Sequence, residues 1–146
     1  MNRVVIFDLN DLICATEALE IFEIVNCQKI SIVPELPPYI EGITNLRDLI
    51  IPVIDLNKRF HLGSTPITSE TKIIITDVND KKAGFIVNAV RKIIIFQDED
   101  LKTVPETVRS SVNHYLTGIL LSDGLIINLI QLNNILNELE INDLPS

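Results

Sequence analysis

One segment of this sequence occurs twice, and that repeat limits the possible folds more than any other feature. Residues 39–60 read YIEGITNLRDLIIPVIDLNKRF, and a weakened copy at 115–136 reads YLTGILLSDGLIINLIQLNNIL. A shorter echo lies upstream, where DLND at 8–11 is answered by DVND at 77–80. Such self-similarity indicates one structural unit of about seventy residues used twice. The NLRD at 45–48 is replaced in the second copy, so the first copy carries polar chemistry that the second lacks.

The composition and the turn signals predict an all-β protein, mainly strands with short helices. Hydrophobic residues make up 47% of the 146 residues and are dominated by Ile, Leu and Val, which suits strands. Short apolar runs, separated by turns such as Asn10-Asp11 and 122–124, predict about ten strands in two similar sets. We therefore expect two small barrel-like halves with a groove between them, where a peptide or a helix would bind. The stretch 61–71, rich in Ser, Thr, Gly and Pro, marks the seam between the halves.

Helices are expected only in short pieces. Asp55 is suited to cap a short helix formed by LNKRF, and residues 132–139 should form a closing helix. The stretch Glu17–Val25 has mixed spacing, so a short helical segment and a bulged segment both remain open. We expect Gly42 and Gly118, which occupy the same position in the two copies, to lie at close backbone approaches.

Several classes of function are disfavoured. The net charge of −8 and the lack of a basic stripe argue against nucleic acid as a partner. Apolar runs are shorter than the roughly 20 residues that cross a bilayer, and no secretory segment is evident, so we expect a cytoplasmic protein. Cys14 and Cys27 lack CxxC spacing, which favours reduced, buried thiols over a disulfide or a metal site. The five glycines form no phosphate-binding loop.

No catalytic, cofactor-binding or metal-binding residues are predicted. The acidic run Asp98-Glu99-Asp100 has no aligned His or Cys and is better explained as a solvated loop than as a metal site. A small-ligand or catalytic double barrel that uses a carboxylate pair such as Asp55 and Glu41 remains an alternative, because such pairs leave little trace in a sequence. That alternative predicts a deep pocket lined by convergent polar groups.

The residues PELPPYIEGITNLR at 34–47, followed by LIIPVIDLNKRF, resemble the CheW-like family of chemotaxis coupling proteins. The later segments AGFIVNAVRKII at 83–94 and YLTGILL at 115–121 are similar to that family in the same order. The resemblance covers nearly the whole chain and implies a single domain, 1–146. It would contain two five-stranded barrel-like subdomains, at about 10–65 and 70–140, with room for terminal elements to cross over.

The resemblance also implies an activity without catalysis. Members of the family are adaptors that bridge chemoreceptor cytoplasmic hairpins and the regulatory domain of the histidine kinase CheA. The implied location is the cytoplasm, with recruitment to membrane-associated receptor arrays and no direct insertion into the membrane. A CheW-like scaffold of a different CheA-like pathway is the alternative within the same class.

The resemblance assigns two groups of partner-binding residues. The kinase-facing group comprises Ile21, Phe22, Glu23, Ile24 and Arg47, with an expected ion pair between Glu23 and Arg47. The candidate receptor-binding group comprises Ile43, Asn45, Leu46, Arg47, Phe85 and Val87. Apolar residues at alternating strand positions usually form a core, so Ile43, Leu46, Phe85 and Val87 have a core alternative.

One residue departs from the family pattern. The family usually has Gly after the NLR motif, and this chain has Asp48. Gly is used where φ is positive, and Asp tolerates that conformation at modest cost, so the turn should survive. A carboxylate beside Arg47 is also a possible competitor of Glu23 for the guanidinium.

Overall fold

The computed structural model describes residues 2–27, 29–36, 40–78, 80–104 and 116–138. Eleven strands lie in these ranges: β1 (Asn2–Leu9), β2 (Leu12–Glu17), β3 (Ile21–Asn26), β4 (Ile40–Leu46), β5 (Leu49–Asp55), β6 (Lys72–Val78), β7 (Lys81–Val87), β8 (Ala89–Phe96), β9 (Leu101–Lys102), β10 (Leu116–Ser122) and β11 (Leu125–Ile130). The two α-helices there are α1 (Leu56–Arg59) and α2 (Leu132–Glu138), and short 3-10 turns lie at Ala18–Glu20 and Asp98–Asp100. The predicted class, mainly strands with few short helices and a C-terminal helix, is confirmed.

The strands form two sheets that interleave the two ends of the chain. The six-stranded sheet has the order β8-β1-β2-β11-β10-β9, and the five-stranded sheet has the order β3-β6-β7-β5-β4. The five-stranded sheet therefore uses residues 21–87, whereas the other combines the first two strands with the last four. This division differs from the expected ranges of 10–65 and 70–140. The cause is the parallel pairing of β2 with β11, in which Cys14 lies opposite Asn128.

The repeat corresponds to a hairpin followed by a helix in both copies. The unit β4-β5-α1 in the first copy matches β10-β11-α2 in the second. Each hairpin has a register shift at its start, between Ile40 and Gly42 in one and between Leu116 and Gly118 in the other. The two shifts occupy equivalent positions of the repeat, which confirms that the sequence similarity reflects one structural unit used twice. Tyr39 and Tyr115, which open the two copies, lie outside the described residues.

A shared hydrophobic core joins the two sheets. The largest buried cluster contains Phe7 and Leu9 from the six-stranded sheet together with Ile54 and Phe85 from the five-stranded sheet. The helix α2 follows β11 in the chain but adds Leu132 and Ile135 to this cluster, and α2 packs near β6. Burying such side chains contributes roughly 1.5–3 kcal/mol for each. Each sheet also has a smaller buried cluster of its own, so the shared cluster joins two units that have separate cores.

Both helices begin at a carboxylate, although the two carboxylates come from different places. The Asp55 side chain accepts from the backbone N–H of Asn57 at 3.0 Å, which confirms the predicted cap of α1. Gln131 stands at the corresponding position of the second copy. There Glu20, from the 3-10 turn, accepts from the backbone N–H of Asn133 at 3.1 Å. The second helix is thus fastened to a distant part of the chain.

The segment between the two halves is held by polar contacts, one of them buried and one exposed. Asp55 also accepts from the backbone N–H of Thr65 at 3.1 Å, and the Asn10 amide donates to the carbonyl of Leu62 at 2.7 Å. The ambiguous stretch 17–25 resolves into the 3-10 turn and the bulged strand β3. In the part of the chain that the structure describes, no helix is both long and apolar enough to span a membrane.

Candidate functional site

The expected kinase-facing segment forms β3, an edge strand of the five-stranded sheet. Its pairing with β6 shifts register between Ile21 and Glu23, so a bulge lies at Phe22. The Phe22 side chain is 47% exposed, whereas Ile21 and Ile24 pack partly against the core. Bulges re-aim side chains and are frequent at functional sites. Here the bulge leaves a large aromatic ring on the surface beside Glu23.

Glu23 and Arg47 form the ion pair that the resemblance implied. Arg47 donates through both terminal nitrogens to the two carboxylate oxygens of Glu23, with the Nη1–Oε2 contact at 2.9 Å. The hydrogen bond from Arg47 lowers the pKa of Glu23 below its ordinary value, and Glu23 correspondingly raises the pKa of Arg47. The pair joins β3 to the turn that follows β4. These two strands, β3 and β4, are the opposite edges of the five-stranded sheet. A backbone bridge between Ser31 and Ile43 also connects β4 to the segment that follows β3.

The β4–β5 turn keeps its geometry with Asp48 in the position of the usual glycine. Arg47 and Asp48 have φ values of 49° and 71°, and the corresponding Asp123 and Gly124 have 50° and 76°. Two consecutive positive φ values are typical of the type I′ hairpin turn. The Asp48 backbone N–H donates to the Asn45 side-chain oxygen at 2.9 Å. The expectation that the turn survives is confirmed, and both carboxylate oxygens of Glu23 remain bound to Arg47.

Exposed apolar residues lie next to this turn. Leu49 and Ile50 open β5 and are 45% and 52% exposed. Their position directly after a polar turn was the signal for exposure. Together with the residues around the ion pair they define what we call the β3–β4 surface: Phe22, Glu23, Asn45, Arg47, Leu49 and Ile50. A shallow depression of about 490 Å³ lies beside this surface. It is lined by residues of β3 and β4, by Arg47 and by Lys72.

Half of the expected receptor-binding group, three of its six residues, is buried. Leu46, Phe85 and Val87 are buried in the cores, so their side chains cannot contact a partner in this structure. Both faces of β7 are covered, because Phe85 and Val87 pack in the cluster shared by the two sheets, whereas Leu46 packs with Ile86 in a separate cluster on the other face. Ile43 is half-buried and Asn45 is exposed. The core alternative therefore applies to Leu46, Phe85 and Val87.

A second depression, of about 470 Å³, lies between the six-stranded sheet and the inter-half segment 61–71, and its lining was not assigned from the sequence. It is lined by residues of the β1–β2 turn, the inter-half segment and the start of β8: Asp8, Asn10, Asp11, Leu12, Ile13, Pro66, Thr68, Glu70, Asn88, Ala89 and Arg91. The sequence had indicated a groove between the halves without its lining. Two segments singled out in the sequence, the DLND turn at 8–11 and the stretch at 61–71, supply part of its lining.

The carboxylates proposed as a catalytic pair serve structural contacts. Asp55 is buried and accepts from Thr65 and from the first turn of α1. Glu41 is paired with Lys58. Across the described ranges, no three His, Cys, Asp or Glu side chains are grouped so that they could hold a metal ion. The arrangement as a whole, an aromatic ring, an ion pair and exposed aliphatic residues around a shallow depression, is suited to contact with another protein.

Comparison with known proteins agrees with this geometry. The family model described as CheW-like domain matches residues 3–140. The chemotaxis protein CheW of Bacillus subtilis is 32% identical over 94% of this chain and 88% of its own length. The chemotaxis protein CheW of Helicobacter pylori is 30% identical over 90% of this chain and 79% of its own.

A solved structure extends the agreement to three dimensions. The scaffolding protein TtCheW from Thermoanaerobacter tengcongensis superposes with a TM-score of 0.80 at 34% identity. The match covers 90% of this chain and 84% of that one. The repeat, the two interleaved sheets and the match over nearly the full sequence lead to one conclusion: the chain belongs to the CheW-like family.

Proposed function

We propose that this protein is a non-catalytic adaptor that couples the cytoplasmic tips of chemoreceptors to the regulatory domain of a CheA-type histidine kinase. Its relatives are chemotaxis proteins, and one structural neighbour is a scaffolding protein. The observation that carries the proposal is the β3–β4 surface, where the exposed ring of Phe22 precedes Glu23, Glu23 is paired with Arg47, and the exposed Leu49 and Ile50 follow the turn that contains Arg47. The kinase would bind there.

The chemistry of this surface fits a protein partner. Protein interfaces combine apolar anchors with a few charged groups that fix orientation, and aromatic residues and Arg are enriched among the strongest contributors. The Arg47 side chain remains 63% exposed while it binds Glu23. A guanidinium has five N–H donors, so Arg47 retains donors for a carboxylate or carbonyl of the partner. One residue can therefore fix the local geometry and also recognise the kinase.

The receptor hairpin, in this proposal, binds the depression between the six-stranded sheet and the inter-half segment. Concave sites at the junction of two units are common places for ligands and helices. Leu12, Ile13 and Pro66 supply apolar contacts there, and Glu70 and Arg91 supply charges at the rim. This assignment replaces Leu46, Phe85 and Val87 as the receptor contacts. It also separates the two partners, which an adaptor that holds both at once requires.

Adaptor binding of this kind does not need high affinity. Individual contacts of roughly micromolar strength suffice where many copies assemble side by side, because linked weak contacts add avidity. The working location would be the cytoplasm, at arrays organised by membrane-bound receptors. The identity of the kinase would name the pathway, and a kinase outside chemotaxis would transfer the same adaptor role to that pathway.

The test is a titration of the purified protein against the regulatory domain of each CheA-type kinase encoded in its own genome. We expect one kinase to bind, and Ile50→Asp to weaken that binding about 30-fold or more, as for a buried interface anchor. The matched control is Ile126→Asp, which changes the equivalent residue of the second copy, itself 62% exposed. Its kinase affinity should stay within about two-fold of the parent.

A second arm addresses the receptor. Leu12→Asp should weaken the binding of a receptor hairpin fragment about ten-fold and leave kinase binding intact, because Leu12 lies in the other depression. If no kinase regulatory domain binds, the adaptor proposal fails. If Ile50→Asp and Ile126→Asp reduce kinase binding equally, the β3–β4 surface is not the kinase site.

A further inference from the structure

The exposed ring of Phe22 is not free in the unbound protein. The ammonium nitrogen of Lys82 lies 4.6 Å from the centre of the Phe22 ring. The same nitrogen is 3.1 Å from Oδ2 of Asp77. Lys82, which lies on β7, thus contacts both the carboxylate of Asp77 on β6 and the aromatic ring of Phe22 on β3. Only 23% of the Lys82 side chain is exposed, so a group that usually extends into water is covered here.

The backbone explains why these three side chains meet. Asp77 and Lys82 are direct cross-strand partners in the β6–β7 hairpin, and such pairs have Cβ atoms about 4.5–5.5 Å apart. On the other side of β6, Ile21 lies opposite Thr76 and Glu23 lies opposite Ile75. Phe22 is the extra residue between these pairs, so its ring can lie over the neighbouring hairpin.

The other half of the molecule offers an internal comparison. Asp8 corresponds to Asp77 in the shorter repeat, and it also holds a cation, because Arg91 Nε lies 2.9 Å from Asp8 Oδ1. That pair also neighbours a register shift, which lies between Val5 and Phe7 of β1. The difference is the aromatic ring on the bulged strand. Among the described residues, a cation lies over an exposed aromatic side chain only in the five-stranded sheet. Both halves thus have an aspartate that binds a cation. In the half with the β3–β4 surface, that cation also contacts an aromatic ring.

We propose that Lys82, held by Asp77, is a positioning residue for the partner-binding surface, and that it also determines which chemical group the partner presents to Phe22. This inference rests on the proposed function. A cation over a ring favours one orientation of that ring, and a surface that is ordered before binding loses less entropy when it binds. Lys82 therefore acts on the partner through Phe22.

The geometry also defines the partner group. Lys82 covers one face of the ring, so the partner meets the other face and the edge. The Lys82 charge is paired with Asp77 and only 23% of its side chain is exposed, so an additional carboxylate of the partner gains little there. Arg47 is also paired, with Glu23, but its side chain is 63% exposed and retains N–H donors for the partner. The group that fits beside Phe22 is consequently an apolar or aromatic side chain, whereas an acidic group fits better beside Arg47.

The experiment combines binding with a measurement on the free protein. Titration with the kinase regulatory domain should give a two- to five-fold loss of affinity for Lys82→Met, about the value of an exposed cation–ring contact. Lys82→Arg retains a cation and should bind like the parent. Phe22→Ala should lose about ten-fold or more, and Lys82→Met added to Phe22→Ala should cause no further loss, because the ring through which Lys82 acts is gone. The matched control is Lys81→Met, an identical charge change on the opposite face of β7, which should leave affinity unchanged.

Aromatic NMR of the free protein separates failure of this inference from failure of the proposed function. The ring signals of Phe22 should shift in Lys82→Met and stay in place in Lys81→Met, whether or not a kinase is present. Unchanged Phe22 signals in Lys82→Met overturn the positioning role. Kinase binding by Lys82→Met equal to the parent also overturns it, as does an equal loss in Lys82→Met and Lys81→Met. If the parent itself binds no kinase domain while the Phe22 signals shift, the contact exists and the proposed function is what fails.

Discussion

Replacement of Gly42 by alanine tests how the five-stranded sheet is closed at its edges. Gly42 lies at the register shift of β4 and has a φ of 154°. A Cβ atom added there would overlap the carbonyl oxygen of Ser31 and approach its carbonyl carbon to 2.9 Å. Ser31 is bound at this point by two backbone hydrogen bonds with Ile43, of 2.8 and 2.9 Å. The obstacle is therefore backbone that cannot move without loss of those bonds.

The cost can be worked from these contacts. A non-glycine residue in a backbone conformation that suits glycine costs about 1–3 kcal/mol. Two backbone hydrogen bonds contribute about 0.5–1.5 kcal/mol each. We therefore expect Gly42→Ala to reduce the free energy of unfolding by about 2–6 kcal/mol. The same change at Gly118 meets the Cδ1 atom of Leu101 at 2.5 Å, and no positive φ applies there. Overpacking against a side chain that can move costs about 1–3 kcal/mol.

Urea unfolding of the parent, Gly42→Ala and Gly118→Ala, followed by circular dichroism, measures both losses. The expected order is a larger loss for Gly42→Ala, although the two residues are equivalent in the repeat. A loss below about 1 kcal/mol for Gly42→Ala would falsify the view that the Ser31–Ile43 bridge is rigid. Equal losses at the two glycines would contradict the distinction between a backbone and a side-chain obstacle.

Two further predictions concern buried ionisable groups. Burial raises the pKa of Glu20 above its ordinary value of 4.5, despite the hydrogen bonds from Asn133 and Thr16; the folded state therefore holds the proton of Glu20 more tightly, and the contribution of this group to stability should be complete below about pH 4.5 and be lost as the pH rises through the raised value. Urea midpoints across that interval should vary less in Glu20→Gln, and an identical pH profile would contradict the assignment. Burial also raises the pKa of the Cys14 thiol to about 12, so a thiol reagent at pH 8 should label Cys14 only after denaturation. Rapid labelling of Cys14 in the folded protein would refute its burial.

The sequence predicted the parts of the fold that depend on local pattern. The repeat predicted one structural unit used twice, Asp55 was identified as a cap, and the turn at Asp48 was expected to tolerate a positive φ. The cap and the turn each depend on residues within a few positions of one another. Such features follow from turn chemistry and side-chain periodicity, which the sequence displays directly.

The parts that were missed depend on contacts between distant residues. Nothing local to β2 indicates that it pairs with β11, more than a hundred residues later in the chain. Phe85 and Val87 were assigned to a surface because alternation identifies the two faces of a strand but does not show that both are covered, as they are in β7. The Glu23–Arg47 pair was expected only because the family resemblance supplied a long-range contact.

The interleaving of the two sheets has a consequence for how the chain acquires its structure during synthesis. The five-stranded sheet is continuous in sequence, so its strands can pair as soon as residue 87 has left the ribosome. The strands β1 and β2 are made first, yet they complete their sheet only when β10 and β11 arrive. Until then the edge of β2 lies open, and unpaired edges are sites of wrong association. The strands β1 and β2 are thus synthesised before the five-stranded sheet, although their own sheet is completed after it.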